Sequence, residues 1–145
     1  MTFLLDVNVL IALIDPAHVS HDAAHHWFET TGKTSWATCP ITENGVIRIV
    51  GHTSYPNMPG STADVAAIVG KMRLLPGHVF WADSLSLFDS VHVDVSQVLT
   101  SAQVTDSYLL ALARAHGGRL ATFDRRLSVK AVAMGKETLH IIDNI

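Results

Sequence analysis

Short apolar runs alternate with segments of helical periodicity along this chain, and this alternation limits its fold more than any other feature. The runs are apolar almost throughout, which is typical of parallel strands buried on both faces. Strands that alternate with helices favour a parallel sheet covered by helices on each side. The sequence therefore predicts an α/β domain whose central parallel sheet has four to five strands. The predicted strands lie at 2–5, 34–39, 77–82, 119–123 and 139–143.

The intervening segments predict helices with recognisable ends. Asn8 is a candidate cap for the first helix, whereas Ser61 with Asp64 and Thr100 with Gln103 have the spacing of capping boxes. Two prolines and two glycines make 51–60 a loop. The segment 83–98 is read as a short helix followed by irregular chain. The predicted helices lie at 9–15, 20–31, 40–50, 61–75, 104–116 and 125–135.

Composition agrees with one compact domain spanning residues 1–145. Hydrophobic residues make up 48% of the chain and charged residues 16%, which excludes a disordered polar chain. No apolar stretch reaches the ~20 residues of a membrane span, and Asp6 interrupts any signal peptide. The single cysteine, Cys39, cannot form an internal disulfide. We therefore expect a cytoplasmic protein with no membrane contact.

Four acidic residues stand where a parallel sheet would gather them. Asp6 and Asp124 each end a predicted strand, and functional crevices lie at the carboxyl ends of parallel strands. Glu43 begins the helix after the second strand. Asp106 lies in the first turns of an otherwise apolar helix, so it sits at the open end of that helix or beside a positive group.

Collecting four carboxylates has an electrostatic cost that suggests a cation. At ~5 Å and an effective dielectric constant of about 20, each like-charge pair costs roughly 3 kcal/mol. Oxygen ligands alone select hard ions such as Mg²⁺ or Mn²⁺. Such an ion lowers the pKa of bound water and neutralises charge on a phosphate, which suits phosphodiester hydrolysis.

The acidic residues occur in four ordered motifs, which read LLDVNVLIAL, TENG, VTDSYLLALA and LATFDRRL. Together these motifs resemble those of PIN-domain ribonucleases over essentially the whole chain. More narrowly, they resemble the VapC toxins of bacterial type II toxin–antitoxin systems.

The resemblance implies a three-layer α/β/α fold and an endoribonuclease that uses Mg²⁺ or Mn²⁺. It also implies homodimers and inhibition by a small cognate antitoxin. Four acids would bind the metal and carry catalysis, two polar residues would support them, and one arginine would be a basic neighbour. The acids are Asp6, Glu43, Asp106 and Asp124, the supporting residues are Asn8 and Thr122, and the basic neighbour is Arg125.

The distribution of basic residues suggests where an anionic partner binds. The net charge is only −3, but six of the ten Lys and Arg residues fall between 114 and 136. We expect Arg114, Arg125 and Arg126 to contact RNA or an acidic antitoxin segment. Apolar residues on the helices from Ser20 and Ser61 suggest a homodimer.

Other interpretations stay open at this point. Each acid alone can be a cap or a turn residue. The chain can be a PIN module that binds RNA or an antitoxin without cleaving, or, less favourably, an aspartyl phosphotransferase. His18, His21 and His25 could line one side of a helix, but they lack partners at structural-zinc spacing. The aromatic residues Trp27, Phe28, Trp36 and Trp81 are expected in the core or a dimer interface.

Overall fold

A computed structural model describes residues 1–144 and contains a five-stranded sheet in which every pairing is parallel. The strands are β1 Phe3–Leu5, β2 Trp36–Thr38, β3 His78–Phe80, β4 Arg119–Thr122 and β5 Leu139–Ile141. Their order across the sheet is β3-β2-β1-β4-β5. The predicted class and all five predicted strands are confirmed. Helices cover both faces of the sheet, as in a three-layer α/β/α fold.

Within residues 1–144, six α-helices connect the strands. They are α1 Val7–Ile14, α2 His21–Thr30, α3 Pro40–Val50, α4 Thr62–Met72, α5 Ala102–Ala115 and α6 Gly135–Thr138. Short 3-10 helices cover Gly32–Thr34 and Val95–Gln97. The bounds of α3 match the prediction, and the capping box before α4 forms. There Ser61 Oγ accepts from Asp64 N at 3.2 Å, while Asp64 Oδ2 accepts from Ser61 N at 2.8 Å.

The sheet separates two hydrophobic cores, which explains why its strands are apolar throughout. Phe3 and Leu5 point into the core that α1 and α2 cover, whereas Leu4 between them points into the core formed largely by α5. Side chains alternate between the faces of a strand, so a sheet covered on both sides needs apolar residues at every position. The expected burial of the aromatic residues is confirmed, with Trp27, Phe28, Trp36 and Trp81 all buried.

The predicted helix at 125–135 is wrong. This segment forms turns that bury Leu127 and Val132 in the second core. Val132 makes an isolated antiparallel bridge with Val93, and Asp94 N donates to Ala131 O at 2.8 Å. Packing and cross-chain pairing therefore override the helical propensity of this short segment. In 83–98, the predicted short helix is likewise replaced by irregular chain and turns before the 3-10 turn.

Two predicted helix caps are also wrong. Asp6, not Asn8, caps α1, because its side chain accepts from Val7 N at 2.7 Å. The cap of α5 is Ser101, one residue after the predicted Thr100. Gln103 turns back to accept from the backbone N–H of Leu99, so no capping box forms there.

The strand order reverses at β1, from which the chain runs to β2 and β3 on one side and β4 and β5 on the other. In open parallel sheets, this reversal opens a crevice at the carboxyl ends of the two central strands. The central pair is β1 and β4, with Leu4 opposite Leu120. Within residues 1–144, no helix is both long and apolar enough to cross a membrane.

Candidate metal centre

The crevice between β1 and β4 contains residues that directly follow these two strands. Asp6 comes immediately after β1, and its backbone N–H donates to Ala121 O in β4 at 3.0 Å. Thr122 ends β4, and Asp124 follows two residues later. Because β1 and β4 are neighbours, Asp6 and Asp124 lie at the same edge of the sheet, as the sequence predicted.

Hydrogen bonds hold the Asp6 side chain in one orientation. Its Oδ1 accepts from Val7 N, and its Oδ2 accepts from the Thr122 hydroxyl at 2.8 Å. The same hydroxyl accepts from Asn8 Nδ2 at 2.9 Å, and Asn8 Oδ1 accepts from Phe123 N at 3.2 Å. Thr122 and Asn8 therefore link the ends of β1 and β4 and aim Asp6 into the crevice.

Asp124 is oriented by its own turn. Its backbone N–H donates to Thr122 Oγ1 at 3.1 Å, while its Oδ1 accepts from Arg126 N at 2.9 Å. No helix follows, so Asp124 is a turn residue and not a helix cap. Its side chain stays partly exposed at the edge where Asp6 lies.

Asp106 brings a third carboxylate to this edge from α5. Burial, together with the smaller effect of the negative charges of Asp6 and Asp124, raises its pKa from the ordinary value of 3.8 to about 6. Burial also raises the pKa of Asp6, with a smaller contribution from Asp124, although the hydrogen bonds from Thr122 and Val7 oppose this rise. The charges of Asp6 and Asp124 thus act on Asp106, and the charge of Asp124 acts on Asp6.

Glu43 lies in the first turn of α3, which follows β2. Two residues later on α3, Gly45 packs so closely on α1 that an added Cβ would lie 2.8 Å from a methyl group of Val7. The missing side chain therefore lets the start of α3 sit beside the start of α1. Glu43 itself is occupied by other partners, because Thr38 Oγ1 donates to its Oε2 at 2.7 Å and Arg73 Nε lies 3.2 Å from the same oxygen.

Two of these neighbours were missed in the sequence. Thr38 ends β2 as Thr122 ends β4, so the repeated strand-final threonine was a usable signal. Arg73 follows α4, some thirty residues after Glu43, and no local pattern connects the two positions. Arg73 therefore becomes recognisable only when the chain is folded.

The predicted basic residues divide into two groups. Arg125 and Arg126 are exposed beside Asp124, and Arg125 also pairs with Asp143 at 2.9 Å. Arg114 lies in the last turn of α5, eight residues after Asp106 and about 12 Å along the helix axis. Since β4 starts soon after α5 ends, Arg114 is near the opposite edge of the sheet. The structure does not bring Arg114 to the acidic crevice.

Within residues 1–144, no three His, Cys, Asp or Glu side chains converge closely enough to hold a metal ion as they stand. The histidines of α2 have another role. His21 Nδ1 lies 2.7 Å from Ala12 O, and His25 Nε2 lies 2.9 Å from Leu13 O. They contact the last carbonyls of α1. The acidic crevice, in contrast, has the all-oxygen donor chemistry that suits a hard cation.

The sequence pattern of the PIN domain family matches residues 3–133 of this chain. The match spans all strands except β5 and includes the four acidic residues. Fold and site together define a PIN domain.

Related proteins identify the subgroup of the PIN domain family to which this chain belongs. Ribonuclease VapC39 of Mycobacterium tuberculosis is 45% identical over 133 residues, which are 92% of this chain and 96% of the relative. Ribonuclease VapC44 of the same organism is 42% identical over 132 residues, covering 91% and 92% of the two chains. This chain belongs to the VapC ribonucleases of the PIN domain family.

A solved structure shares the fold at much lower identity. The crystal structure of VapC20 from Mycobacterium tuberculosis, described as a toxin that cleaves the Sarcin-Ricin loop, has a TM-score of 0.65 and 12% identity. The similarity covers 90% of this chain and 96% of VapC20. At this identity, the comparison supports the fold alone.

Proposed function

We propose that this protein is an endoribonuclease that depends on Mg²⁺ or Mn²⁺ and acts as the toxin of a toxin–antitoxin pair. The observation that carries the proposal is the coupling of three carboxylates at the reversal of strand order. Asp106 has a pKa of about 6 because it is buried near Asp6 and Asp124. Such concentrated negative charge at a crevice favours a functional site over three separate structural roles. The VapC relatives supply the reaction class, because they are ribonucleases.

The proposed ligands of the cation are Asp6, Asp106, Asp124 and Glu43. When bound, the cation supplies a water of lowered pKa and neutralises charge on the phosphate. Asp6 is already oriented by Thr122, whereas Asp106 and Asp124 are only partly buried and can rotate toward a shared ion. Asn8 supports the site through its hydrogen bond to Thr122, and its Nδ2 also donates to Asp6 Oδ2 at 3.5 Å.

The proposed RNA surface includes Arg125 and Arg126. They are exposed on the turn after β4, beside Asp124, where they can bind a phosphate that enters the proposed site. The acidic segment of a small antitoxin can form ion pairs with the same two arginines. Arg114 is left out of this proposal, because it lies at the other end of α5.

We also propose a homodimer, whose interface does not include α2. The apolar residues of α2 are buried in the first core, so they are not free for an interface. Exposed apolar side chains occur instead at Leu74 and Leu75, before the edge strand β3, and at Val79 within it. Light scattering at micromolar concentration without antitoxin should give twice the monomer mass, and a monomer mass would contradict the proposal.

A single domain over 1–145 and a cytoplasmic location are part of the same proposal. The two cores share one sheet, which supports a single cooperative unit. The lone Cys39 is buried as a free thiol, which suits a reducing compartment. One unfolding transition, seen identically by near- and far-ultraviolet circular dichroism, would support the single domain.

The central experiment incubates the purified protein with total RNA in Mg²⁺ or Mn²⁺, with a parallel sample in EDTA. We expect new RNA ends only with the metal, and loss of cleavage in Asp6→Asn and Asp124→Asn. Mapping the new ends would identify the RNA and the position that is cut. If the folded wild type with either metal leaves RNA intact while binding it, the non-cleaving PIN module is the better description. The phosphotransferase alternative gains no support, since the residue after Val7 is Asn8, whose amide is engaged with Thr122.

A further inference from the structure

The acidic crevice has a positive neighbour on its β2 side, opposite the turn that carries Arg125. Arg73 follows α4, and its Nε lies 3.2 Å from Glu43 Oε2. The Arg73 side chain is 42% exposed, and the Glu43 side chain is 18% exposed. Because the Arg73 end of the pair is open to solvent, the ion pair contributes only modestly to folding stability. Stability alone therefore gives a weak reason for placing an arginine beside Glu43.

The Arg73 guanidinium is held in place on two sides. Its carbon lies 5.2 Å from the centre of the Phe80 ring, in a cation–π arrangement. Phe80 ends β3 and is itself 45% exposed, so the guanidinium rests on an aromatic surface open to solvent. Glu43 is fixed in turn, because Thr38 donates to the same oxygen that Arg73 approaches. The arginine is thus positioned before any ligand arrives.

The contact with Glu43 leaves most of the guanidinium available. The ion pair uses Nε, and no residue in the described range 1–144 forms a hydrogen bond or ion pair with either Nη nitrogen. Arginine offers five N–H donors in a planar fork that fits two oxygens of a phosphate. The free Nη groups of Arg73 can therefore bind an oxyanion without breaking the contact with Glu43.

We propose that Arg73 is an RNA-binding residue that contacts a backbone phosphate on the Glu43 side of the site. This inference rests on the proposed ribonuclease function and adds a contact that the family motifs in this sequence do not include. Arg125 and Arg126 lie beside Asp124, past the end of β4, and Arg73 lies beside Glu43, across β1. An RNA strand that crosses the crevice from the β4 side to the β2 side meets positive charge at both ends. Between them it passes the carboxylates.

The salt dependence of RNA binding tests this contact. Fluorescence anisotropy would follow a short fluorescein-labelled single-stranded RNA of mixed sequence at several KCl concentrations, with EDTA present to prevent cleavage. Each phosphate contact on a single strand adds about 0.7 to the slope of log K against log salt. We expect Arg73→Ala to lower the slope by about this amount and Arg73→Lys to keep it. Arg73→Gln, which can still donate to Glu43, should behave like Arg73→Ala.

The matched control is Arg119→Ala. Arg119 is exposed at the start of β4, at the edge of the sheet away from the crevice, and should leave the slope at the wild-type value. Circular dichroism establishes that each variant is folded. If folded Arg73→Ala or Arg73→Gln has the same salt-dependence slope as the control Arg119→Ala, the inference is overturned. A wild type that does not bind this RNA overturns it as well.

The same samples separate this inference from the proposed reaction. A wild type that cleaves total RNA with Mg²⁺ or Mn²⁺, together with an unchanged slope for Arg73→Ala, refutes the Arg73 contact alone. A lowered slope with no cleavage under any metal supports the RNA contact and refutes the ribonuclease reaction.

Discussion

Asp106→Asn is the most informative substitution in the candidate site, because it preserves shape and removes one negative charge. In the folded protein, burial and the charges of Asp6 and Asp124 raise the pKa of Asp106 to about 6, whereas its ordinary value is 3.8. The folded state thus holds the proton more tightly than the unfolded state. Between these two pH values the folded state binds more protons, so the Asp106 contribution to stability falls as pH rises. Above about pH 6 the ionised Asp106 lowers the free energy of unfolding by its full amount, and below about pH 4 this destabilisation is absent.

The size of the penalty follows from the same values. A pKa difference of one corresponds to about 1.4 kcal/mol, so the rise from 3.8 to about 6 sets an upper bound of ~3 kcal/mol. Asp106 is partly exposed, and solvent screening reduces this bound to roughly 1–2 kcal/mol. For a chain of this size, 1 kcal/mol changes the melting temperature by about 3 °C. We therefore expect metal-free Asp106→Asn to melt roughly 3–6 °C above the wild type at about pH 7.5.

Thermal melts in EDTA at several pH values measure this difference. The advantage of Asp106→Asn should shrink below about pH 4, while metal-dependent RNA cleavage is lost because ligand charge is removed. Asp64→Asn is the matched control. Asp64 belongs to the capping box of α4, and hydrogen bonds from Ser61 lower its pKa, so this variant should lose stability at neutral pH. If Asp106→Asn is destabilised like the control and still cuts RNA at the wild-type rate, the shared metal site is wrong.

Two further predictions concern buried hydroxyl groups. Thr122→Val removes the donor to Asp6 and the acceptor for Asn8, so we expect a loss of roughly 1–3 kcal/mol in urea denaturation and weaker cleavage. Thr122→Ser retains the hydroxyl and should stay near the wild type, and equal losses in both variants would refute this role. Tyr55→Phe removes the hydroxyl that donates to the buried Asp15 from the 51–60 loop, which should cost about 1–3 kcal/mol. Cleavage per folded molecule should not change, and a selective loss of cleavage would instead give this loop a part in binding RNA.

Local sequence predicts the helices, strands and caps correctly where its residues follow one clear periodicity or spacing. The apolar runs predicted the five strands because a sheet covered on both faces requires apolar residues at Phe3, Leu4 and Leu5 alike. The spacing of Ser61 and Asp64 predicted a cap because its two hydrogen bonds connect residues only three positions apart. Both predictions depend on interactions within one segment or on a simple division between buried and exposed positions.

Local sequence patterns gave wrong predictions where a segment forms its contacts with distant parts of the chain. The stretch at 125–135 has apolar residues at helical spacing, but Val132 bridges to Val93 and Leu127 fills the second core. The energy of these contacts exceeds the weak preference of a short helix. Asn8 was expected at a helix end, but Asp6 caps α1 and Asn8 instead reaches β4.

The sequence by itself determined the parallel α/β architecture and the positions of four acidic residues at strand and helix ends. These features depend on the hydrophobicity of each residue and on its spacing from its neighbours in the chain. Tertiary structure alone decided which of these acids meet. Asp6 and Asp124 became neighbours because β4 pairs with β1, and the effect of their charges on Asp106 depends on distances that no local pattern specifies. The pairing of Glu43 with Arg73 likewise depends on α4 and α3 packing together. Electrostatic interactions act through space, so the charge balance of the site exists only once the chain has folded.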